Sequence, residues 1–216
     1  MTQAFLRLEP QKKTRIIHAA LKEFAEKGYQ QASTNRIVEK AGIGKGMLFY
    51  YFGSKEKLFF YLVEFALAYV EQEYLETFDD SEPDFIERHK RMVQAKMEAI
   101  DKNPYIFSFL GTLYLNAEVE LPEEMARRFH HVTELGQRKR LSNIDMSLFR
   151  DDVDPELVFK LINWCMDGYE RQLTAHLRGQ NLTSIDYSPY VDEFYDYLEV
   201  LKRIFYQPER PSHGHG

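Results

Sequence analysis

Apolar residues recur at three- and four-residue intervals along most of this chain, which is the period of an amphipathic helix. The first stripe, Ile16, Ile17, Ala20, Leu21, Phe24 and Ala25, predicts a helix over about 11–27 that stops at Gly28. Ile37, Val38 and Ala41 predict a short helix after Ser33, a residue suited to the N-cap, with Gly42 as its left-handed stop. Ile43 then plugs the turn into the core, and a second short helix follows over about 44–52. Leu48 and Phe52, one turn apart, point inward, while Gly46, Met47, Tyr50 and Tyr51 fan over the other side. Adjacent residues on a helix diverge by about 100°, so at least one of Tyr50 and Tyr51 is exposed. Ser54 caps a long helix over about 55–78, carrying Leu58, Leu62, Phe65, Leu67 and Tyr69. The run 79–83 breaks it. Further helices are expected at about 84–102, 105–118, 123–143, 156–179 and 189–206, with Pro104, Pro122, Pro155 and Pro189 at their starts. No stretch alternates as a strand and no repeat is visible. The pattern predicts an all-α chain of about nine helices.

Two short helices around a glycine turn, the second polar and aromatic outside, have the form of a DNA-reading helix-turn-helix. Charge supports this once the chain is divided. The net charge of −6 suits DNA poorly, yet residues 1–57 carry 11 Lys and Arg against 5 Asp and Glu, while residues 58–216 carry 17 against 29. The basic part coincides with the motif, where phosphate must be neutralised. Lys45, at the start of the reading helix, and Lys55, at the next helix start, are expected DNA contacts. Tyr50 and Tyr51 are placed against backbone or bases, Gly46 lets backbone approach the duplex, and Met47 either meets a thymine methyl or is simply exposed.

The string Ala41-Gly42-Ile43-Gly44-Lys45-Gly46-Met47-Leu48-Phe49-Tyr50-Tyr51-Phe52-Gly53-Ser54-Lys55-Glu56-Lys57-Leu58 resembles the signature of the tetracycline-repressor (TetR) family, A-G-V-S-K-G-T-L-Y-Y-Y-F-x-S-K-E-x-L. The resemblance covers about residues 10–70. Gly44 stands where the signature has Ser, Met47 where it has Thr, and Phe49 where it has Tyr, which removes a cap oxygen, a hydroxyl and a phosphate hydrogen bond. The resemblance implies an N-terminal three-helix DNA-binding domain at 10–70, with its motif at 33–52. It also implies an effector-binding and dimerisation domain at 71–207. Thr34 and Asn35 would touch phosphates, with Phe49 beside them on the reading surface. The last two helices would form a four-helix interface with a twin. Their wide apolar stripes, Leu157 to Leu173 and Val191 to Phe205, are broader than one core needs; the alternative is that they complete a monomer core. Tyr105, Phe107, Tyr114, Phe129, Trp164 and Tyr169 lie on helices that line an effector cavity in the resembled family, and an aromatic cavity suits a small hydrophobic or aromatic effector.

Other chemistry is thin. The single cysteine, Cys165, excludes an intrachain disulfide and is read as buried filler. His130 and His131 diverge too far to share a metal. Asp151, Asp152 and Asp154 lack the glycine and closing glutamate of a calcium loop. No phosphate-binding glycine loop or nucleophile–base set is visible, so no enzyme, cofactor or metal site is expected. With no apolar run of about 18 residues and no signal peptide, the chain is expected to be cytoplasmic and to engage no membrane. The tail 208–216, with His213 and His215, is expected to be disordered. The expected function is a homodimeric, ligand-responsive repressor whose heads bind a palindromic double-stranded operator about 34–36 Å apart. Alternatives are an effector-independent regulator or activator of the same fold, and an enzyme or scaffold with a vestigial motif.

Overall fold

The computed structural model describes residues 2–116 and 119–208. The disordered-tail expectation for 209–216, and both tail histidines, lie outside the described residues. Among the described residues there are ten α-helices and no strand, only an isolated bridge between Phe149 and Tyr206. They are α1 (Gln3–Leu6), α2 (Pro10–Gln31), α3 (Thr34–Ala41), α4 (Lys45–Phe52), α5 (Lys55–Tyr69), α6 (Phe85–Lys102), α7 (Pro104–Asn116), α8 (Glu123–Leu141), α9 (Pro155–Leu177) and α10 (Ser188–Phe205). The all-α architecture expected from periodicity is therefore observed.

Differences from the expected elements are local. Gly28 breaks the helical geometry where a stop is expected, at φ 65° and ψ 178°, but helix resumes beyond this kink and α2 reaches Gln31. The long helix leaves α geometry after Tyr69 and continues as a π-helix, Val70–Leu75. Ahead of the first helix that periodicity predicts lies α1, and its Phe5 is only 1% exposed.

Packing divides the chain into two compact, interleaved units rather than at residue 70. One comprises Met1–Phe78, Ala95–Gln137 and Leu177–Ile185; the other Asp79–Gln94, Arg138–His176 and Asp186–Gly216. The first unit's core runs from Phe5, Ile16, Leu21 and Phe24 through Leu48, Phe52, Leu58 and Leu62 to Ile106 and Phe109. Thr112 bonds the Ala25 carbonyl at 3.1 Å, which ties α7 to α2 just before the kink. In the π-helix, Glu71 pairs with Arg128 and lies 3.5 Å from His131.

The second unit's core gathers Phe85, Ile86, Phe149, Val158, Ile162, Met166, Leu198 and Leu201. Its chain ends are fastened by polar contacts. The Tyr206 hydroxyl donates to Asp84 at 2.8 Å, and Lys202 reaches Asp84 at 3.0 Å and Glu87 at 2.7 Å. Arg88, fully buried, donates to the carbonyls of Glu82, Lys139 and Ser142, closing the C-terminal end of α8. On α9 the residues Leu157 and Trp164 are exposed, as are Tyr197, Val200 and Ile204 on α10. Each set falls on one helical face, so both helices bury one apolar stripe in their own unit and leave a second uncovered. Cys165 lies beside Trp164 and is exposed, which corrects its reading as buried filler.

Candidate nucleic-acid interface

The turn between α3 and α4 is set by Gly42, in the left-handed conformation at φ 65°, ψ 41°. Its N–H and that of Ile43 donate to the carbonyls of Glu39 and Val38, closing the end of α3. Ser33 occupies the N-cap of α3, yet its hydroxyl makes no capping bond. Its amide donates to the Glu23 carboxylate at 2.9 Å instead. The same oxygen accepts from Arg36 Nε at 2.8 Å, and Lys40 Nζ lies 3.8 Å from the other. Burial pushes the Glu23 carboxyl up, but the bonds from Arg36 and Ser33 and the charges of Arg36 and Lys40 outweigh it and hold it below its ordinary value. Glu23 thus pins α3 to α2. Neither residue featured in the sequence expectations; the available signal was a carboxylate within an apolar stripe, facing basic residues four apart on the next helix.

Gly44 caps α4 without a side chain, and Leu48 and Phe52 are buried as expected. Lys45, Gly46, Met47, Phe49 and Tyr50 form its outer face, with Tyr50 61% exposed. A Cβ at Gly44 or Gly46 would meet no atom within 4 Å, so packing inside the chain does not demand glycine at either. Tyr51, expected on the DNA face, is only 2% exposed and belongs to the core, because Phe5 of α1 lies against it. This is a correction: of the tyrosine pair, only Tyr50 faces out. Thr34 is half-buried and Asn35 exposed at the start of α3. Ser54 caps α5 by accepting from the Lys57 amide at 3.0 Å, as expected. Lys55 is more than a surface cation, since its ammonium donates to the Gln30 carbonyl at 3.2 Å and sits 4.8 Å from the centre of the Tyr29 ring.

The six candidate effector residues are not gathered in one unit. Tyr105, Phe107, Tyr114 and Phe129 belong to the first, Trp164 and Tyr169 to the second. Tyr105, Phe107 and Phe129 are half-buried against the first core, Tyr114 and Trp164 are exposed, and Tyr169 stacks on Phe194 at 5.2 Å. A cavity of about 10 Å³, space for roughly one water, lies among Phe24, Gly28, Tyr29, Phe59, Phe109, Thr112, Leu113 and Val119, none of them a candidate. Among the described residues, no group of three or more His, Cys, Asp or Glu is placed to hold a metal, and no helix is long and apolar enough to cross a membrane.

A glycine-turned pair of short helices, set in a basic segment with a polar-aromatic outer face, defines a DNA-binding transcriptional regulator of the helix-turn-helix class. Residues 16–62 match the family model for bacterial regulatory proteins of the tetR family. It is 27% identical over 175 residues to the HTH-type transcriptional repressor AcnR of Corynebacterium efficiens, covering 79% of this chain and 86% of that protein. A TetR family transcriptional regulator from Chloroflexus aurantiacus has the same fold, with a TM-score of 0.61 at 22% identity over 96% of this chain and 99% of that one. The fold is shared too with the TetR family protein CprB from Streptomyces coelicolor, in complex with its operator sequence. There the TM-score is 0.60 at 20% identity, over 91% of this chain and 89% of that one.

Proposed function

We propose that this regulator is a homodimeric repressor that reads a two-fold symmetric operator with the outer face of α4. The observation that carries the reading is the division of α4 into two faces. Leu48, Tyr51 and Phe52 are locked inside, whereas Lys45, Gly46, Met47, Phe49 and Tyr50 are held on the outer face. Lys45 and the first-turn amides of α4 would meet phosphate, and Met47 and Tyr50 would meet base edges or sugar. Thr34, Asn35 and Lys55 would grip the flanking backbone. That CprB is seen with its operator supports the same use of the fold here.

Dimerisation is supported by the uncovered stripes of α9 and α10. A face built from Leu157, Trp164, Tyr197, Val200 and Ile204 is more apolar than water-facing helix needs, and a second copy would cover it. Two copies also supply the two heads that a palindrome requires. A small-molecule effector would need the first unit's interior to open, since the cavity at α7 takes about one water.

The test is selection of duplexes from a random-sequence library, followed by titration and sedimentation. The expected result is a symmetric consensus bound by a dimer, with Tyr50→Ala weakening binding and Ile204→Arg giving monomers of about 25.6 kDa. An asymmetric or absent consensus, or a wild-type chain that sediments as a monomer, overturns the reading.

A further inference from the structure

The reading helix is supported from behind by a segment that sequence periodicity passes over. The Thr2 amide donates to the Tyr51 carbonyl at 3.0 Å, filling an acceptor in the last turn of α4, where helix carbonyls lack intrahelical partners. Three residues on, the Phe5 ring lies 4.7 Å from Phe52 and 5.7 Å from both Tyr51 and Tyr61, in tilted and edge-on geometries. The segment is itself braced. The amides of Phe5 and Leu6 donate to the Thr2 carbonyl, and those of Arg7 and Leu8 donate to Gln3 and Phe5. The next residues lead straight into α2, whose first turn is closed by bonds from Lys12 and Lys13 to the Glu9 carbonyl. So α4 is gripped on its inner face by a strap anchored to α5 through Tyr61 and to α2 through the chain.

We infer that residues 2–8 form a clamp that fixes the orientation of α4, with Phe5 a positioning residue for DNA reading that acts through Tyr51 and Phe52. The physical reason is leverage. An eight-residue helix is too short to hold its own geometry in water, and on its inner face only Leu48, Tyr51 and Phe52 are buried. Two of those three carry Phe5. Tyr50 adjoins Tyr51, with its ring 5.8 Å from the Tyr51 ring, so a shift of Tyr51 displaces the residue placed against the duplex. Direct readout demands close placement of side chains on base edges, whereas non-specific attraction depends on charge and tolerates a loose helix. Removing the clamp therefore costs specificity before it costs attraction.

This inference rests on the reading of α4 given above, and the experiment separates the two. The unmodified protein first selects a duplex from a random-sequence library; affinities are then measured for that duplex and a scrambled one at fixed salt. Phe5→Ala is expected to lower the selected-to-scrambled affinity ratio about tenfold, the scale of a mismatched base step, with affinity for the scrambled duplex and helical circular dichroism retained. Phe5→Leu, which keeps apolar volume, restores most of the ratio. Thr2→Pro removes the amide donor to Tyr51 while leaving Phe5 in place, and lowers the ratio several-fold, which keeps the test alive if Phe5→Ala fails to fold. An unchanged ratio in Thr2→Pro and Phe5→Ala overturns the clamp, as does an equal loss on both duplexes in a variant that keeps its helical circular dichroism. Tyr50→Ala in the same titration reports on the underlying reading: if it too leaves binding intact, α4 is not the reading helix and the clamp falls with it.

Discussion

Replacing Glu23 by glutamine removes one charge from the base of the DNA-binding head while keeping shape and an acceptor for Ser33. The carboxylate is fully buried and takes the Ser33 amide at 2.9 Å. An amide bond to a charged acceptor contributes about 1.5–3 kcal/mol against about 0.5–1.5 for a neutral one. The expected loss is thus about 1–1.5 kcal/mol; the Arg36 arm, exposed to water, adds little after screening. For a chain of this size that lowers Tm by roughly 2–6 °C. The pH dependence is specific. Because the folded carboxyl lies below its ordinary value of 4.5, its stabilisation is fully present above about pH 4.5 and is lost as pH falls through the folded value. Scanning calorimetry of wild type and Glu23→Gln should show the full gap near pH 7 and a narrowing gap in acid. Equal Tm values at neutral pH, or a gap that persists unchanged at about pH 3, would refute the pinning of α3 by Glu23.

Lys45→Ala should weaken operator binding and reduce the salt slope by about one per subunit contact removed, in titrations at several salt concentrations. Leu198→Ala, a change in the second unit's sealed core, should cost about 2–5 kcal/mol in urea unfolding, whereas Val200→Arg two residues on should leave the fold intact and shift sedimentation towards the monomer. Burial, and then the charges of Arg140 and Arg88, push the His89 imidazole down to about 4 against the upward pull of its Nδ1 bond to the Phe85 carbonyl. A site that binds its proton less readily when folded loses stability as pH falls from about 6.5 towards 4. His89→Leu should flatten Tm over that window.

Helix order and ends were legible because each helix carries its own stripe and punctuation. The expected 84–102 and 189–206 lie within a residue of Phe85–Lys102 and Ser188–Phe205. Gly42 was legible because its left-handed turn is a local property. Periodicity gives a face but not what covers it, and there the expectations went astray. Tyr51 turned inward because Phe5, some 46 positions earlier, reaches it. Cys165 came out exposed because the stripe of α9 is wider than its own unit can cover. Leu198, at the centre of the second apolar stripe, lies in the monomer core, while Tyr197 and Val200 beside it face outward. The glutamate under α3 was illegible for a related reason, since a charged residue is normally assigned to the surface until its partners are located.

The interleaving of the two units bears on how the protein is made. Leu177–Ile185 belongs to the first unit, and there the Leu182 carbonyl accepts from the Ser108 hydroxyl at 3.2 Å. The Leu182 side chain seats so closely over Gly111 that a Cβ there would stand 2.7 Å from it. During synthesis this stopper emerges only after all of α6 to α9, so α7 waits with an open flank while the 66 positions from 117 to 182 are translated. A nascent chain arrested before Leu177 should accordingly show α7 accessible to protease, and one arrested after Ile185 should not. The segment proposed to read DNA is encoded first, but the unit that contains it cannot close until Leu177–Ile185 has emerged.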